Sequence, residues 1–111
     1  MEKQRGFPRF KLQSEAAIYT RGGFVRGTVE NISMTGLFVS GVQADIQVGD
    51  RSEISINLPN VSCRSAVVVD GIAVRVEQRG IAYRFQNIQL ETFGLLRAIL
   101  HNKSLLSQAA A

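Results

Sequence analysis

The stretch Asn31-Ile32-Ser33-Met34-Thr35-Gly36-Leu37-Phe38-Val39-Ser40 decides how the rest of the chain is read. Apolar runs flank it on both sides. Asn31 and Ser33 carry short polar side chains that hydrogen-bond to nearby backbone or to a ligand, and Gly36 accepts positive φ or the close approach of another molecule. The stretch therefore reads as a turn between two strands, with polar atoms held on a rigid frame as binding loops usually are. An ordinary hairpin turn uses the same residue types, so a second feature is needed to tell the two apart.

Upstream, residues 10–18 alternate: Phe10, Leu12, Ala16 and Ile18 fall on one side and Lys11, Gln13 and Glu15 on the other, the period of a half-buried strand. Arg21-Gly22-Gly23 reads as a turn, and residues 24–32 as a second strand that delivers the chain into the motif. Residues 37–40 leave it as a third strand. Residues 41–50 are polar and punctuated by glycine, which predicts a loop. Ile54, Ile56 and Leu58 alternate with polar neighbours until Pro59-Asn60, where the proline ring removes a ladder donor. Residues 63–77 are rich in β-branched side chains. Asp70-Gly71 inside them is either a tight hairpin or a bulge in one long strand. Gln78-Arg79-Gly80 is a turn that returns the chain through Ile81, Tyr83 and Phe85.

After Asn87 the period changes. Leu90, Phe93, Leu96 and Leu100, with Leu95 and Ile99 beside them, recur at helical spacing and predict one amphipathic helix ending near His101-Asn102, its apolar stripe turned to the core. Gly94 weakens it by roughly 1 kcal/mol relative to Ala. Short strands separated by turn signals indicate a closed or nearly closed small antiparallel β-barrel of about six or seven strands, with the single C-terminal α-helix closing one side. The expected organisation is one domain over residues 1–104, followed by a tail at 105–111. Within that domain, residues 1–9 form an arm, 10–88 the barrel and 89–103 the helix.

The composition fits that reading. A chain of 111 residues, 45% hydrophobic, suits one globular domain. A net charge of +4, from 13 Lys plus Arg against 9 Asp plus Glu, favours anionic partners without naming one. Cys63 is the only cysteine, so no internal disulfide and no structural zinc site can be built, which suits a reducing cytoplasm. The first residues lead into no signal-peptide core, and the longest apolar tract, residues 66–76, is broken by Asp70, Gly71 and Arg75. It falls short of the ~20 residues that span a bilayer, so direct membrane insertion is not expected. His101 is the only histidine and no carboxylate group has metal-ligand spacing, so neither a catalytic site nor a metal is expected.

The second feature lies near the N-terminus in Arg5-Gly6-Phe7-Pro8-Arg9. A guanidinium can grip a phosphate in a bidentate fork, or the O6/N7 edge of guanine, so two of them suit a guanine nucleotide. Pro8 disfavours helical geometry at Phe7, which places the pair on an extended arm. Arg5 and Arg9, followed after about one hairpin by Asn31, Ser33 and Gly36, make R-x-x-x-R and N-x-S-x-x-G. In that order the two motifs resemble the PilZ domain family, bacterial receptors for the second messenger cyclic di-GMP. The resemblance runs from about Arg5 to Gly80-Ile81-Ala82-Tyr83-Arg84-Phe85, which looks like the family's last barrel strand, and it favours a long, kinked strand through Asp70-Gly71. Asn31 stands where the family more often has Asp.

The resemblance implies a receptor rather than an enzyme, with cyclic di-GMP as its ligand, no cofactor, and an effector protein as partner. Arg5 and Arg9 would clamp phosphates and guanines as the arm folds over the barrel. Asn31 and Ser33 would contact a guanine or its phosphate, and Gly36 would permit close approach. Arg26 or Arg84 could add a phosphate contact, while the other arginines, Arg75 and Arg79 among them, read as solubility residues. The protein would be a monomer or a ligand-dependent dimer. One rival is an interaction module of the same fold with weak or no nucleotide binding. The other is a basic barrel that binds single-stranded nucleic acid, against which stand the few aromatic residues and the lack of tryptophan.

Overall fold

The computed structural model describes residues 9–57 and 67–101, excepting the side chains at 95 and 99–101. Arg5, Leu58, Pro59, Cys63 and the tail lie outside the described residues. Six strands, β1 (Phe10–Thr20), β2 (Gly23–Ile32), β3 (Gly36–Ser40), β4 (Arg51–Ile56), β5 (Val67–Val76) and β6 (Gly80–Gln86), precede one helix, α1 (Leu90–His101). The strands close into a barrel in the order β1-β2-β3-β6-β5-β4, every neighbouring pair antiparallel. Two three-stranded meanders, β1-β2-β3 and β4-β5-β6, thus meet along two seams, β3–β6 and β1–β4.

Alternation decides which side chains fill the barrel. Leu12, Ser14, Ala16 and Ile18 of β1 are buried while Lys11, Gln13 and Glu15 face out, and β4 repeats the pattern with Ser52, Ile54 and Ile56 inside. The loop at 41–50 contributes Ile46 to the same core cluster, despite its polar composition. Leu96 of α1 is fully buried in that cluster, so the helix covers the barrel as expected. Leu90 departs from the expected apolar stripe: it is 85% exposed, because it occupies the first helical position, outside the turn that reaches the barrel. The chain passes from β6 to the helix through Asn87, whose φ of 47° lies in the left-handed region that asparagine tolerates.

Asp70-Gly71 is not a hairpin. Both residues sit in an unbroken register with β4, Glu53 opposite Asp70 and Ser52 opposite Gly71, and β5 runs straight through them. The irregularity in this long strand lies three residues later. Ala73 pairs with Tyr83 and Arg75 with Ala82, leaving Val74 as an extra residue.

The β3–β6 seam is unusually tight, and its two glycines explain why. A Cβ added at Gly36 would stand 2.2 Å from the carbonyl oxygen of Tyr83, and one at Gly80 would stand 2.2 Å from that of Val39. No side chain fits at either end of this ladder. Gly94 meets nothing within 4 Å. Replacing Gly80 by Ala is expected to cost about 3 kcal/mol or more, because the obstacle is backbone, whereas Gly94→Ala should stabilise by up to about 1 kcal/mol. Urea midpoints of the two variants should therefore move in opposite directions.

Tyr83 places a phenol inside the barrel. The residue is 1% exposed, and its hydroxyl has no hydrogen-bond partner among the described residues. Burial pushes its pKa above the usual tyrosine value. The nearby Ser52 hydroxyl, too poorly placed to complete a hydrogen bond, works in the opposite direction, and the Asp50 carboxylate adds to the rise. A raised folded-state pKa favours the neutral phenol, so this contribution to stability is whole below pH ~10 and is lost as pH rises through the folded value. Tyr83→Phe should leave stability at pH 7 unchanged or raise it by up to about 1 kcal/mol, and should flatten the alkaline fall of the unfolding free energy.

Candidate functional site

Asn31 owes its position to one extra residue. Val29 and Ile32 both face the core, three residues apart where strict alternation would require an even number. Glu30 supplies the offset: Val29 pairs with Val39 and Asn31 with Phe38, so Glu30 has no counterpart on β3. Across the β1 side, Leu12 and Gln13 together face Glu30, since Lys11 pairs with Asn31 and Ser14 with Val29. The bulge turns Asn31 outward and returns Ile32 to the interior. Val74 does the same on β5, turning Arg75 outward after Ala73 faces in.

One lateral row on the barrel's outer surface runs through the residues that follow these two bulges. Lys11, Asn31, Phe38, Ala82 and Arg75 are successive cross-strand partners over β1, β2, β3, β6 and β5. At the usual strand spacing the row is about 19 Å long. Phe38 faces out yet is buried, because Arg79 and Arg75 lie over its ring, with guanidinium carbons 5.0 Å and 6.0 Å from its centroid. Arg79 also reaches Glu30 at 3.8 Å, and Arg75 pairs with Glu77. The reading of Arg75 and Arg79 as scattered solubility residues is thereby corrected. They converge on the motif's own face, and only the register of β5 and β6 could have revealed it.

The other motif residues divide. Arg9 immediately precedes β1, and its Nη1 donates to Asn31 Oδ1 at 2.8 Å, a bond across 22 residues that joins the two motifs directly. Ser33 is 1% exposed and turned inward. Its Oγ accepts from the Thr35 backbone N–H at 3.2 Å and lies 3.1 Å from Thr35 Oγ1, while its own N–H donates to the Gly36 carbonyl at 2.8 Å. Phe85 N–H donates to the Thr35 carbonyl at 2.9 Å, so β6 pins the turn from the side. Ser33 thus acts in the turn. The need for glycine at 36 is already met within the fold by the Tyr83 carbonyl.

Arg84 pairs with Gly36 across the seam and is exposed on the outer face, in the row next to Phe38 and Ala82. Arg26 lies farther along β2 and is engaged by Glu15 at 3.3 Å. Of the two auxiliary arginines, Arg84 is therefore the one beside the motif. A cavity of about 640 Å³ opens at the opposite end of the barrel, between the β1–β2 turn and the 45–52 segment. Its arginines, Arg21 and Arg51, are matched by Asp45 and Asp50, and Asp50 already accepts from Gln47 N–H at 3.0 Å. The outer row carries the stronger case. Among the described residues no group of His, Cys, Asp and Glu could hold a metal ion, and no helix is long and apolar enough to cross a membrane.

A family model for the PilZ domain matches residues 3–102. The chain belongs to the PilZ domain family. No curated protein sequence matches it. Among solved structures, this PilZ domain is similar to the PilZ domain of Escherichia coli YcgR with c-di-GMP, at 15% identity and a TM-score of 0.76, covering 97% of this chain and 95% of that one. It is also similar to Bacillus subtilis MotI/DgrA, an inhibitor of motility, at 18% identity and TM-score 0.75, covering 94% and 52%. Longer YcgR in complex with c-di-GMP gives 16% identity and TM-score 0.80, covering 96% and 48%. The chain spans about half the length of the MotI/DgrA and longer YcgR chains. At these identities the likeness is one of fold.

If Ser33 holds the turn, its loss should be felt in the fold. Ser33→Ala should cost about 1–2 kcal/mol by urea denaturation, and Asn31→Ala, at a half-exposed position, under about 1 kcal/mol.

Proposed function

We propose that this PilZ domain is a receptor for cyclic di-GMP that signals to a partner protein through its N-terminal arm. The observation that carries the reading is the 2.8 Å bond from Arg9 to Asn31, which brings the arm's arginine motif onto the face that bears the turn motif. The ligand lies on the outer row beside Asn31. Arg9 and Arg5 clamp phosphate and guanine, and Asn31 meets a guanine or phosphate edge. Ser33 serves mainly by holding the turn, and Gly36 leaves the seam beside it free of a side chain. Arg84 and the Arg75–Arg79 pair add positive charge around the row. The two E. coli YcgR structures with c-di-GMP support this choice of ligand. Binding orders the arm over the barrel, and the ordered arm is the signal to an effector protein in the bacterial cytoplasm. The chemistry is recognition alone, without catalysis or a cofactor.

A second reading, an interaction module with weak or no nucleotide affinity, draws on Asn31 in place of Asp and on the exposed Val68, Val74, Val76 and Leu90. Isothermal titration with cyclic di-GMP, beside GTP and cyclic di-AMP, separates the two. Saturable binding of cyclic di-GMP alone is expected, and Arg9→Ala should weaken it about 100-fold or more without lowering the melting temperature. Flat heats from folded protein would move the choice to the interaction module.

A further inference from the structure

The Arg9–Asn31 bond also fixes which way the Asn31 amide faces. A guanidinium carries donors only, so the atom that meets Arg9 Nη1 at 2.8 Å must be the amide oxygen. The amide N–H donors then turn away from Arg9. Lys11, the partner of Asn31 on β1, and Phe38, its partner on β3, border it on the same face.

We infer that Asn31 is a positioning residue: its side-chain oxygen anchors the arm by holding Arg9 on the barrel's outer face before any ligand arrives. What it then offers a ligand is its pair of amide donors, which fit an acceptor such as guanine O6 or N7, or a phosphate oxygen, beside the remaining lone pair of the anchored oxygen. The last residue of the arm is therefore preorganised. The entropy cost of placing the Arg9 guanidinium is met in folding. This deepens the receptor reading and rests on it for the ligand, but the anchoring itself can be measured with no nucleotide present.

The test is hydrogen exchange on the full chain without nucleotide, read at the backbone amides of residues 10–12, for the parent, Asn31→Ala, Asn31→Asp, Arg9→Ala and the Asn31→Ala/Arg9→Ala double variant. Titration with cyclic di-GMP accompanies it for the parent and the two Asn31 variants. Anchoring predicts that Asn31→Ala and Arg9→Ala each speed exchange about three- to tenfold, that the double variant is no faster than either, and that Asn31→Asp, which keeps an acceptor, stays as protected as the parent. Affinity should not follow exchange: Asn31→Asp keeps the anchor but replaces the amide donors by a second acceptor, so both Asn31 variants should bind cyclic di-GMP about tenfold more weakly than the parent. Amides of Val69 and Ile81, on strands distant from the arm, report whether the barrel is intact. Should Asn31→Ala disturb them, Arg9→Ala carries the test alone. Unchanged exchange in Asn31→Ala and Arg9→Ala, or effects of the two that add, would overturn the anchoring. A parent that binds no cyclic di-GMP while showing the coupled exchange would refute the ligand and leave the anchor standing.

Discussion

A β-strand presents its side chains alternately, and nothing in its backbone allows two adjacent residues to share a face. The whole outer surface of this barrel depends on where that rule is interrupted. Were alternation unbroken through Glu30, Asn31 would follow Val29 into the core, and Ile32 would face solvent. The interruption thus relieves the interior of a buried amide and places that amide beside Arg9. Val74 solves the same problem for Arg75 on the far side of the row. Burying a guanidinium among Val69, Ala73 and Tyr83 would be far more costly than burying an amide, so this second bulge is the more stringently required.

The motif residues are also part of the scaffold. Gly36 is confronted by the Tyr83 carbonyl, and the Ser33 hydroxyl lies inside the turn that β6 pins through Phe85. Asn31, Ser33 and Gly36 therefore divide their labour. One faces outward, one organises the turn, and one lets the two meanders approach. A single spacing of residues can satisfy all three needs only because turn and seam are adjacent on the same two strands.

Much of this was legible from local pattern. Alternation in 10–18, the paired glycines after Arg21, the return through Gly80 and the helical period after Asn87 all follow from contacts within a few residues. The pairing of the two motifs likewise pointed to the contact of Arg9 with Asn31. The bulges were hidden because neither Glu30 nor Val74 differs in kind from its neighbours: an extra polar residue in a half-exposed strand, or an extra valine in an apolar one, leaves no mark in composition. Asp70-Gly71 carried the stronger local turn signal, yet a long strand paired on both sides outweighed it. Leu90 obeyed the helical period but sits at the helix's first residue, where period alone says nothing of what lies opposite. The Phe38, Arg75 and Arg79 cluster unites positions whose proximity is a property of the closed ring.

That ring has a kinetic side. Short connections join β1 to β2, β2 to β3 and β5 to β6, so these pairs can form early, and Asn31 and Lys11 share one hairpin. Phe38 and Ala82 are 44 residues apart in sequence, and Ile18 and Ile54 are 36 apart, so both seams must await slow, long-range loop closure. A nascent chain that has made β1 to β3 holds the Asn31 half of the row, while the guanidinium-covered half exists only after β6 docks. The complete outer row is therefore a late product of folding, and a partially closed barrel would present its amide without the arginines from the other meander.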